Sequence, residues 1–147
     1  MQGHIGLTPQ TASALGGFKM QGKDAAAAKQ IIDDAKAIEE AGAFSIVLEA
    51  VPAPLGNLVA AAVKVPVVGI GAGPDVDGQV LVTHDMIGLF DKFVPKFVKQ
   101  YSQIRTIILE AMQSYKKEVQ EVTFPGPEHS FKMPKETLTQ LKGMIED

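Results

Sequence analysis

The sequence predicts an α/β fold in which parallel strands alternate with helices. Two short, nearly continuous apolar runs, at residues 44–49 and 65–70, are typical of strands covered on both faces. An amphipathic helical pattern precedes the first run, and a shorter helical pattern separates the two. Strand and helix patterns that alternate at roughly 20-residue spacing indicate a parallel sheet with right-handed crossovers.

The first part of the chain predicts a strand end, a loop and a helix. Residues 3–7 resemble the last part of a strand, and Thr8-Pro9-Gln10 and Gly16-Gly17 then mark a loop. Asp24 is a good N-cap for the helix that follows, and Gly42 stands where a helix ends. Residues at helical spacing form the predicted apolar face: Ala28, Ile31, Ile32, Ala35 and Ile38.

The second part continues the alternation and then becomes helical. We expect a strand at 44–49, a short helix at 55–63 and a strand at 65–70, followed by a loop at 71–74. A further strand is expected at 79–83, with its exit loop at 84–89. The remaining chain is predicted as a helical stretch at 95–121 with a break near Ser102, a loop-like tail at 124–131 and a terminal helix at 134–145. Residues 67–71 resemble the opening residues 3–6, which gives a weak internal repeat of a strand that ends in glycine.

Composition narrows the class of protein. The chain has 147 residues, of which 46% are hydrophobic, enough for the core of one domain, and a net charge of −3 without a long block of either sign. This balance favours a small-molecule or protein partner over nucleic acid. Cysteine does not occur, which excludes thiolate chemistry and fits a reducing cytosol. No signal-peptide pattern opens the chain, and its longest apolar stretch, 58–72, is interrupted and shorter than the roughly 20 residues of a membrane span. We therefore expect a cytoplasmic protein.

Glu49 is the first candidate catalytic residue. It directly follows the apolar run 44–48, so it is predicted at the mouth of a buried sheet, where partial desolvation suits a carboxylate to act as a base. The alternative is an exposed strand-end residue or a salt-bridge partner.

His4 is the second candidate, since it lies in the opening strand between Gly3 and Gly6. An imidazole there could hydrogen-bond a substrate carboxylate or a metal's outer ligands, although a structural hydrogen bond is the alternative.

Three further features favour structural interpretations. Adjacent residues of an extended segment point in opposite directions, so His84 and Asp85 are poorly placed to bind one ion. The glycine-containing segment 69–73 matches neither the P-loop motif nor the dinucleotide-binding motif. We expect its glycines to allow the backbone to approach a ligand closely. His129, beside Glu128, is interpreted as a tail or subunit contact.

Several motifs in order along the chain resemble the ketopantoate hydroxymethyltransferase family. They are G-H-I-G-L-T-P-Q from Gly3, G-G-F-K-M-Q-G from Gly16, V-L-E-A-V-P from Val47, V-P-V-V-G-I-G-A-G from Val65, D-G-Q-V-L-V from Asp77, His84-Asp85, P-K-F from Pro95 and the tail 124–131. The resemblance covers nearly the whole chain.

The resemblance implies a TIM (β/α)8 barrel and a pantothenate-pathway enzyme. In this family 3-methyl-2-oxobutanoate, 5,10-methylenetetrahydrofolate and water give 2-dehydropantoate and tetrahydrofolate, with magnesium assisting. The resemblance also implies that Glu49 is the general base and that His4 lies in the active site. A divalent ion that chelates the oxo acid would stabilise its enolate and make the C3 proton easier to remove.

The resemblance covers only the second half of the barrel, since a complete barrel typically needs about 250 residues. Residues 1–123 are therefore expected to form its C-terminal half, and residues 124–147 a C-terminal tail and helix. The magnesium ligands are expected in the other half, so no residue of this chain is predicted as a ligand. We expect a homo-oligomer or a complementary N-terminal half as partner, and no turnover by the isolated chain. Two alternatives remain: a noncatalytic half-barrel that self-associates through its sheet edges, and another enolate-forming barrel enzyme.

Overall fold

The computed structural model describes residues 1–11 and 19–145, so the predicted Gly16-Gly17 loop lies outside the described residues. The chain forms two compact units, Met1–Gln103 and Ile104–Asp147. The first contains the sheet and both candidate site residues. The second contains the long helix and the tail.

A four-stranded parallel sheet organises the first unit. Its strands are β1 (Gln2–Gly6), β2 (Ser45–Glu49), β3 (Val67–Ile70) and β4 (Gly78–Gln79), and they lie side by side in chain order. Helix α1 (Ala25–Glu40) connects β1 to β2, and helix α2 (Ala53–Ala62) connects β2 to β3. These connections confirm the predicted parallel α/β organisation.

Helix α1 begins and ends where the sequence predicts. The Asp24 side chain accepts a hydrogen bond from the backbone N–H of Ala27 at 2.9 Å, which satisfies one of the free donors of the first turn. After the last turn, Gly42 has a φ of +87°, a left-handed conformation that glycine adopts without steric cost. Both ends of the helix are therefore fixed by local sequence.

The core lies between one face of the sheet and these two helices. Ile5, Ile46, Leu48 and Val67 point from the strands into this layer and are buried. Ile31 and Ala35 of α1 are also buried, and the rest of the predicted helix face packs against the same cluster. Burial of these side chains is the main force that holds helices and sheet together.

Because side chains alternate in direction along the strands, the candidate site lies on the sheet face opposite to the core. The register pairs His4 with Val47, Gly6 with Glu49, and Glu49 with Ile70. Because neighbouring residues of a strand point to opposite faces, His4 and Glu49 share the face that does not pack on α1 and α2. The site and the helical layer are thus separated by the sheet.

The predicted strand 79–83 is much shorter in the structure. Only Gly78 and Gln79 pair with β3, and a short helix, α3 (Thr83–Met86), replaces the predicted exit loop. The carbonyl of Val82 accepts hydrogen bonds from the N–H groups of Asp85 and Met86, which turns the chain into α3. The local alternation of apolar residues does not reveal this turn.

The predicted helix 95–121 is also shorter, because helix α4 spans Ile104–Gln120. Before it, the N–H of Val98 bonds to the carbonyl of Pro95, and the N–H of Tyr101 bonds to the carbonyl of Met86. The second bond joins residues that are distant in sequence and competes with helical pairing, so residues 95–103 remain irregular.

The second unit contains α4, a single 3₁₀ turn (Pro127–His129) and helix α5 (Lys135–Ile145). Tail and terminal helix agree with the prediction. The expected boundary at residue 123, which concerns the barrel, stays a prediction. In the part of the chain that the structure describes, every helix is too short or too polar to cross a membrane.

Candidate active site

The candidate site lies at the carboxyl-terminal edge of the sheet. Strands β1 and β2 are parallel neighbours, so their last residues, Gly6 and Glu49, are directly paired. The β2 sequence Ser-Ile-Val-Leu-Glu buries Ile46 and Leu48 against the helices and therefore turns Glu49 to the other face. Ligands of parallel α/β sheets bind beyond this edge of the strands.

A hydrogen bond joins the two predicted site residues. Nε2 of His4 lies 3.0 Å from Oε2 of Glu49. A carboxylate can only accept, so the imidazole Nε2 carries the hydrogen and donates it. The side chains are 32% and 13% exposed, which means that solvent or a ligand can reach the pair although most of the carboxylate is covered. The structure thus brings together the two residues singled out from the sequence.

The chain leaves the sheet immediately after Glu49 through a left-handed residue. Ala50 has a φ of +52°, uncommon for a residue with a Cβ, and is 9% exposed. Its N–H donates to the carbonyl of Ile70, and its carbonyl accepts from the N–H of Gln21, each at 2.9 Å. The Glu49 carbonyl accepts from the N–H of Leu7, also at 2.9 Å. These bonds fix the backbone on both sides of the carboxylate.

The glycine-containing loop after β3 is covered by the protein itself. Gly71 has a φ of +66°, and a Cβ built on it would lie 2.6 Å from the Phe97 ring. A Cβ on Gly73 would collide with Ala53. A Cβ at either glycine would meet atoms of this chain, but both glycines also line the cavity at this edge of the sheet. That they allow close approach of a ligand stays a prediction.

A cavity of about 760 Å³ opens at this edge of the sheet. Glu49 lines it together with apolar and aromatic residues, and three further charged side chains, Lys19, Asp85 and Lys96, also face it. The volume is within the range of small-molecule sites. Lys96 and Phe97 belong to a predicted helix that the structure replaces with an irregular segment, so their place at the cavity was not foreseen.

The other candidate polar residues do not join the His4–Glu49 pair. Asp85 lines the cavity, whereas His84 is not among its lining residues. The prediction assumed an extended segment, but both residues lie in the short helix α3, where successive side chains are rotated by about 100°. His129 lies in the second unit, where its Nδ1 accepts from the N–H of Gly126 at 3.2 Å and its ring lies 5.1 Å from the Phe124 ring. These local contacts match its interpretation as a tail residue.

The described residues do not form a metal site among their donor groups. No group of three or more histidine, aspartate or glutamate side chains among residues 1–11 and 19–145 is arranged to hold a metal ion. Glu49 and His4 bond to each other and form only a pair. The residues in hand therefore do not fit magnesium by themselves.

Fold and site together define an α/β protein with a carboxylate–imidazole pair at the mouth of a small-molecule cavity. The sequence model of the ketopantoate hydroxymethyltransferase family matches residues 1–127, and the chain belongs to this family.

Curated relatives carry the name 3-methyl-2-oxobutanoate hydroxymethyltransferase. The protein of Syntrophobacter fumaroxidans is 56% identical over 144 residues, that of Heliobacterium modesticaldum 57% over 144 residues and that of Clostridium beijerinckii 55% over 141 residues. These matches cover 98%, 98% and 96% of this chain but 51% of each relative. The chain thus spans about half the length of the curated relatives it matches.

Proposed function

We propose that this chain contributes the general base to a 3-methyl-2-oxobutanoate hydroxymethyltransferase of pantothenate biosynthesis. The observation that carries the proposal is the His4–Glu49 hydrogen bond of 3.0 Å at the carboxyl edge of the sheet, where Glu49 lines the cavity. Membership of the family and the names of the relatives support the choice of substrates. The proposed substrates are 3-methyl-2-oxobutanoate, 5,10-methylenetetrahydrofolate and water.

The proposed role of Glu49 is to remove the C3 proton of the oxo acid. The electron pair of the C3–H bond passes into the neighbouring ketone and gives an enolate, and C3 then forms a bond to the one-carbon unit. Both carbon–nitrogen bonds of that unit break, and the oxygen of water becomes the new hydroxyl. The two hydrogens of water end on the folate nitrogens, and the proton that Glu49 took ends on the hydroxyl, so the products are 2-dehydropantoate and tetrahydrofolate.

The proposed role of His4 is to orient this base. Its Nε2–H occupies Oε2 of Glu49, and among the described residues no group binds Oε1. One carboxylate oxygen is thereby held while the other remains available to accept a proton. We also propose that His4 contacts the oxo acid.

Magnesium is part of the proposed reaction but not of the site formed here. Because the described side chains offer no metal-binding group, its ligands would come from the remaining part of the enzyme.

The same proposal extends to architecture and surroundings. The four parallel strands and their crossovers support a place in the second half of a TIM barrel. We propose a complementary N-terminal half or further copies of the chain as partners, and the cytoplasm as the location. The exposed edge of β1 and the sheet face bearing His4 are the surfaces that the rest of such a barrel would cover.

A chimaera tests the proposal directly. The matching 144 residues of the Syntrophobacter fumaroxidans relative are replaced by this chain, and exchange of the C3 proton of 3-methyl-2-oxobutanoate is followed by proton NMR in D₂O with magnesium and without folate. We expect the chimaera to exchange at a rate comparable to that of the relative, and the isolated chain to exchange far more slowly.

Two outcomes would contradict the proposal. A folded chimaera with no exchange above buffer would show that this chain does not supply the base. Rapid exchange by the isolated chain would show that no complementary half is needed. If the chimaera is inactive while the isolated chain sediments as a stable oligomer, the noncatalytic self-associating alternative is supported instead.

A further inference from the structure

The cavity beside Glu49 combines an aromatic wall with two lysines that have no side-chain partner among the described residues. The cavity, of about 760 Å³, is also lined by the proposed base. The proposed reaction has two organic substrates, the oxo acid and the larger one-carbon donor. Both are therefore expected to lie at this cavity.

The aromatic wall is built on the strand ends next to the base. Phe97 packs against Leu7 and Ala50, the residues that follow β1 and β2, and its ring covers Gly71 after β3. Phe90 and Phe93 also line the cavity and are 45% and 65% exposed. Such rings offer a planar, apolar surface on which a flat heterocycle stacks with offset or edge-to-face geometry.

The cations stand beside this wall. Lys19 and Lys96 line the cavity, and Lys96 immediately precedes Phe97. Both are exposed, and among the described residues neither ammonium group has a hydrogen-bond or ion-pair partner. The Gln21 N–H that bonds to the Ala50 carbonyl ties the segment of Lys19 to the backbone after Glu49. Two ammonium groups at one mouth complement a ligand that carries carboxylates.

We propose that Lys19, Lys96 and Phe97 form the subsite for the anionic one-carbon donor, with the pterin ring against Phe97 and the glutamyl carboxylates at the two lysines. The inference rests on the proposed function and assigns to it the donor-binding residues of this chain. With the ring beside Ala50, the donor lies next to the residue that removes the C3 proton.

The test measures binding as well as activity. Calorimetry with 5-formyltetrahydrofolate as the probe compares the chimaera with its Lys19→Gln, Lys96→Gln and double variants. Exposed ion pairs contribute a few-fold each to an affinity, so we expect the Kd of the double variant to rise about tenfold. The matched control is Lys92→Gln, an exposed lysine shortly before Lys96 that is not among the cavity-lining residues. Lys19→Arg with Lys96→Arg is expected to restore most of the affinity.

A change in the probe identifies the group that the lysines bind. Both glutamyl carboxylates of 5-formyltetrahydrofolate are converted to amides. The unsubstituted chimaera should bind this diamide more weakly than the original probe, whereas the double lysine variant should bind the two probes with similar affinity. A Phe97→Leu variant should weaken both probes by a similar factor, because it acts on the ring.

The outcomes separate this inference from the proposed function. If C3 exchange is present but the lysine variants bind the probe like the parent, the subsite is wrong and the proposed function stands. If the variants raise the KM for 3-methyl-2-oxobutanoate while probe binding is unchanged, the lysines serve the oxo acid and the inference is overturned. If exchange itself is absent, the proposed function fails first.

Discussion

Glu49 receives a hydrogen bond from His4 across two neighbouring parallel strands, with 3.0 Å between Oε2 and Nε2. The residues are 45 positions apart in sequence, and the strand register makes them neighbours. His4 pairs with Val47, so its side chain reaches along the strand to the carboxylate two residues further on. This relationship leads to the first two predictions.

Glu49→Gln should abolish most of the C3 exchange by the chimaera. An amide has nearly the shape of the carboxylate and can still accept a hydrogen bond from His4, but it cannot take a proton. We expect a loss of about 10²- to 10⁴-fold, the usual contribution of a general base. Glu40→Gln, at the exposed end of α1, is the control. Exchange within threefold of the parent in Glu49→Gln would remove Glu49 as the base.

His4→Ala should slow exchange without a comparable change in substrate affinity. Loss of a hydrogen bond to a charged group costs about 1.5–3 kcal/mol, which corresponds to a fall of about 10- to 100-fold in kcat. His4→Gln, whose amide can donate to Glu49, should recover part of the rate, whereas His84→Ala lies away from the cavity and serves as control. A rise in KM with an unchanged kcat would instead make His4 a substrate ligand.

Two helix ends predict opposite effects of glycine on stability. After α1, Gly42 has a φ of +87°, and the N–H of Ala43 bonds to the carbonyl of Ile38. After α4, the equivalent residue is Val122 with a φ of +57°, and the N–H of Thr123 bonds to the carbonyl of Glu118. The two helices thus end in the same motif, once with glycine and once with a β-branched residue.

Gly42→Ala should lower the free energy of unfolding by about 1 kcal/mol. A left-handed conformation costs an L-residue about 1–2 kcal/mol, and the restriction of the unfolded chain by alanine offsets part of this cost. A Cβ at Gly42 meets no atom within 4 Å, so backbone strain alone is tested. Val122→Gly should raise the corresponding free energy for the second unit by up to about 1 kcal/mol, since this side chain is 85% exposed and loses little packing. Urea denaturation of the 147-residue chain measures both, and changes of the same sign would refute the argument.

Gly71→Ala should disturb the aromatic wall of the cavity. The added methyl group would lie 2.6 Å from the Phe97 ring at a φ of +66°, so the ring must move and the backbone is strained. We expect destabilisation of about 1–3 kcal/mol and weaker binding of 5-formyltetrahydrofolate. The control is Gly78→Ala, where a Cβ would meet only Val68 at 3.8 Å. Equal effects of the two substitutions on probe binding would show that the position of Phe97 is unimportant.

Much of the first unit follows from local sequence. Helix α1 could be predicted from its apolar face, its Asp24 cap and Gly42, and strands β2 and β3 from their continuous apolar runs. These signals are local, because hydrophobic periodicity and helix capping depend on neighbouring residues. Glu49 at the end of β2 could be selected from its place after such a run. His4 could be selected from its place in the opening strand, and the family resemblance added the proposed chemistry.

Contacts between distant residues decided the remainder. The bond from Tyr101 to Met86 keeps residues 95–103 out of a helix, and the turn at Val82 ends β4 after two residues. These contacts place Lys96 and Phe97 at the cavity, which periodicity assigned to a helix. The left-handed backbone conformation of Ala50 could not be predicted either, because an alanine in the sequence does not indicate it. By itself, the sequence determined the parallel α/β order and the carboxylate at a strand end. Only the tertiary structure decided that this carboxylate meets His4 and the cavity, because strand register and loop packing depend on residues far apart in the chain.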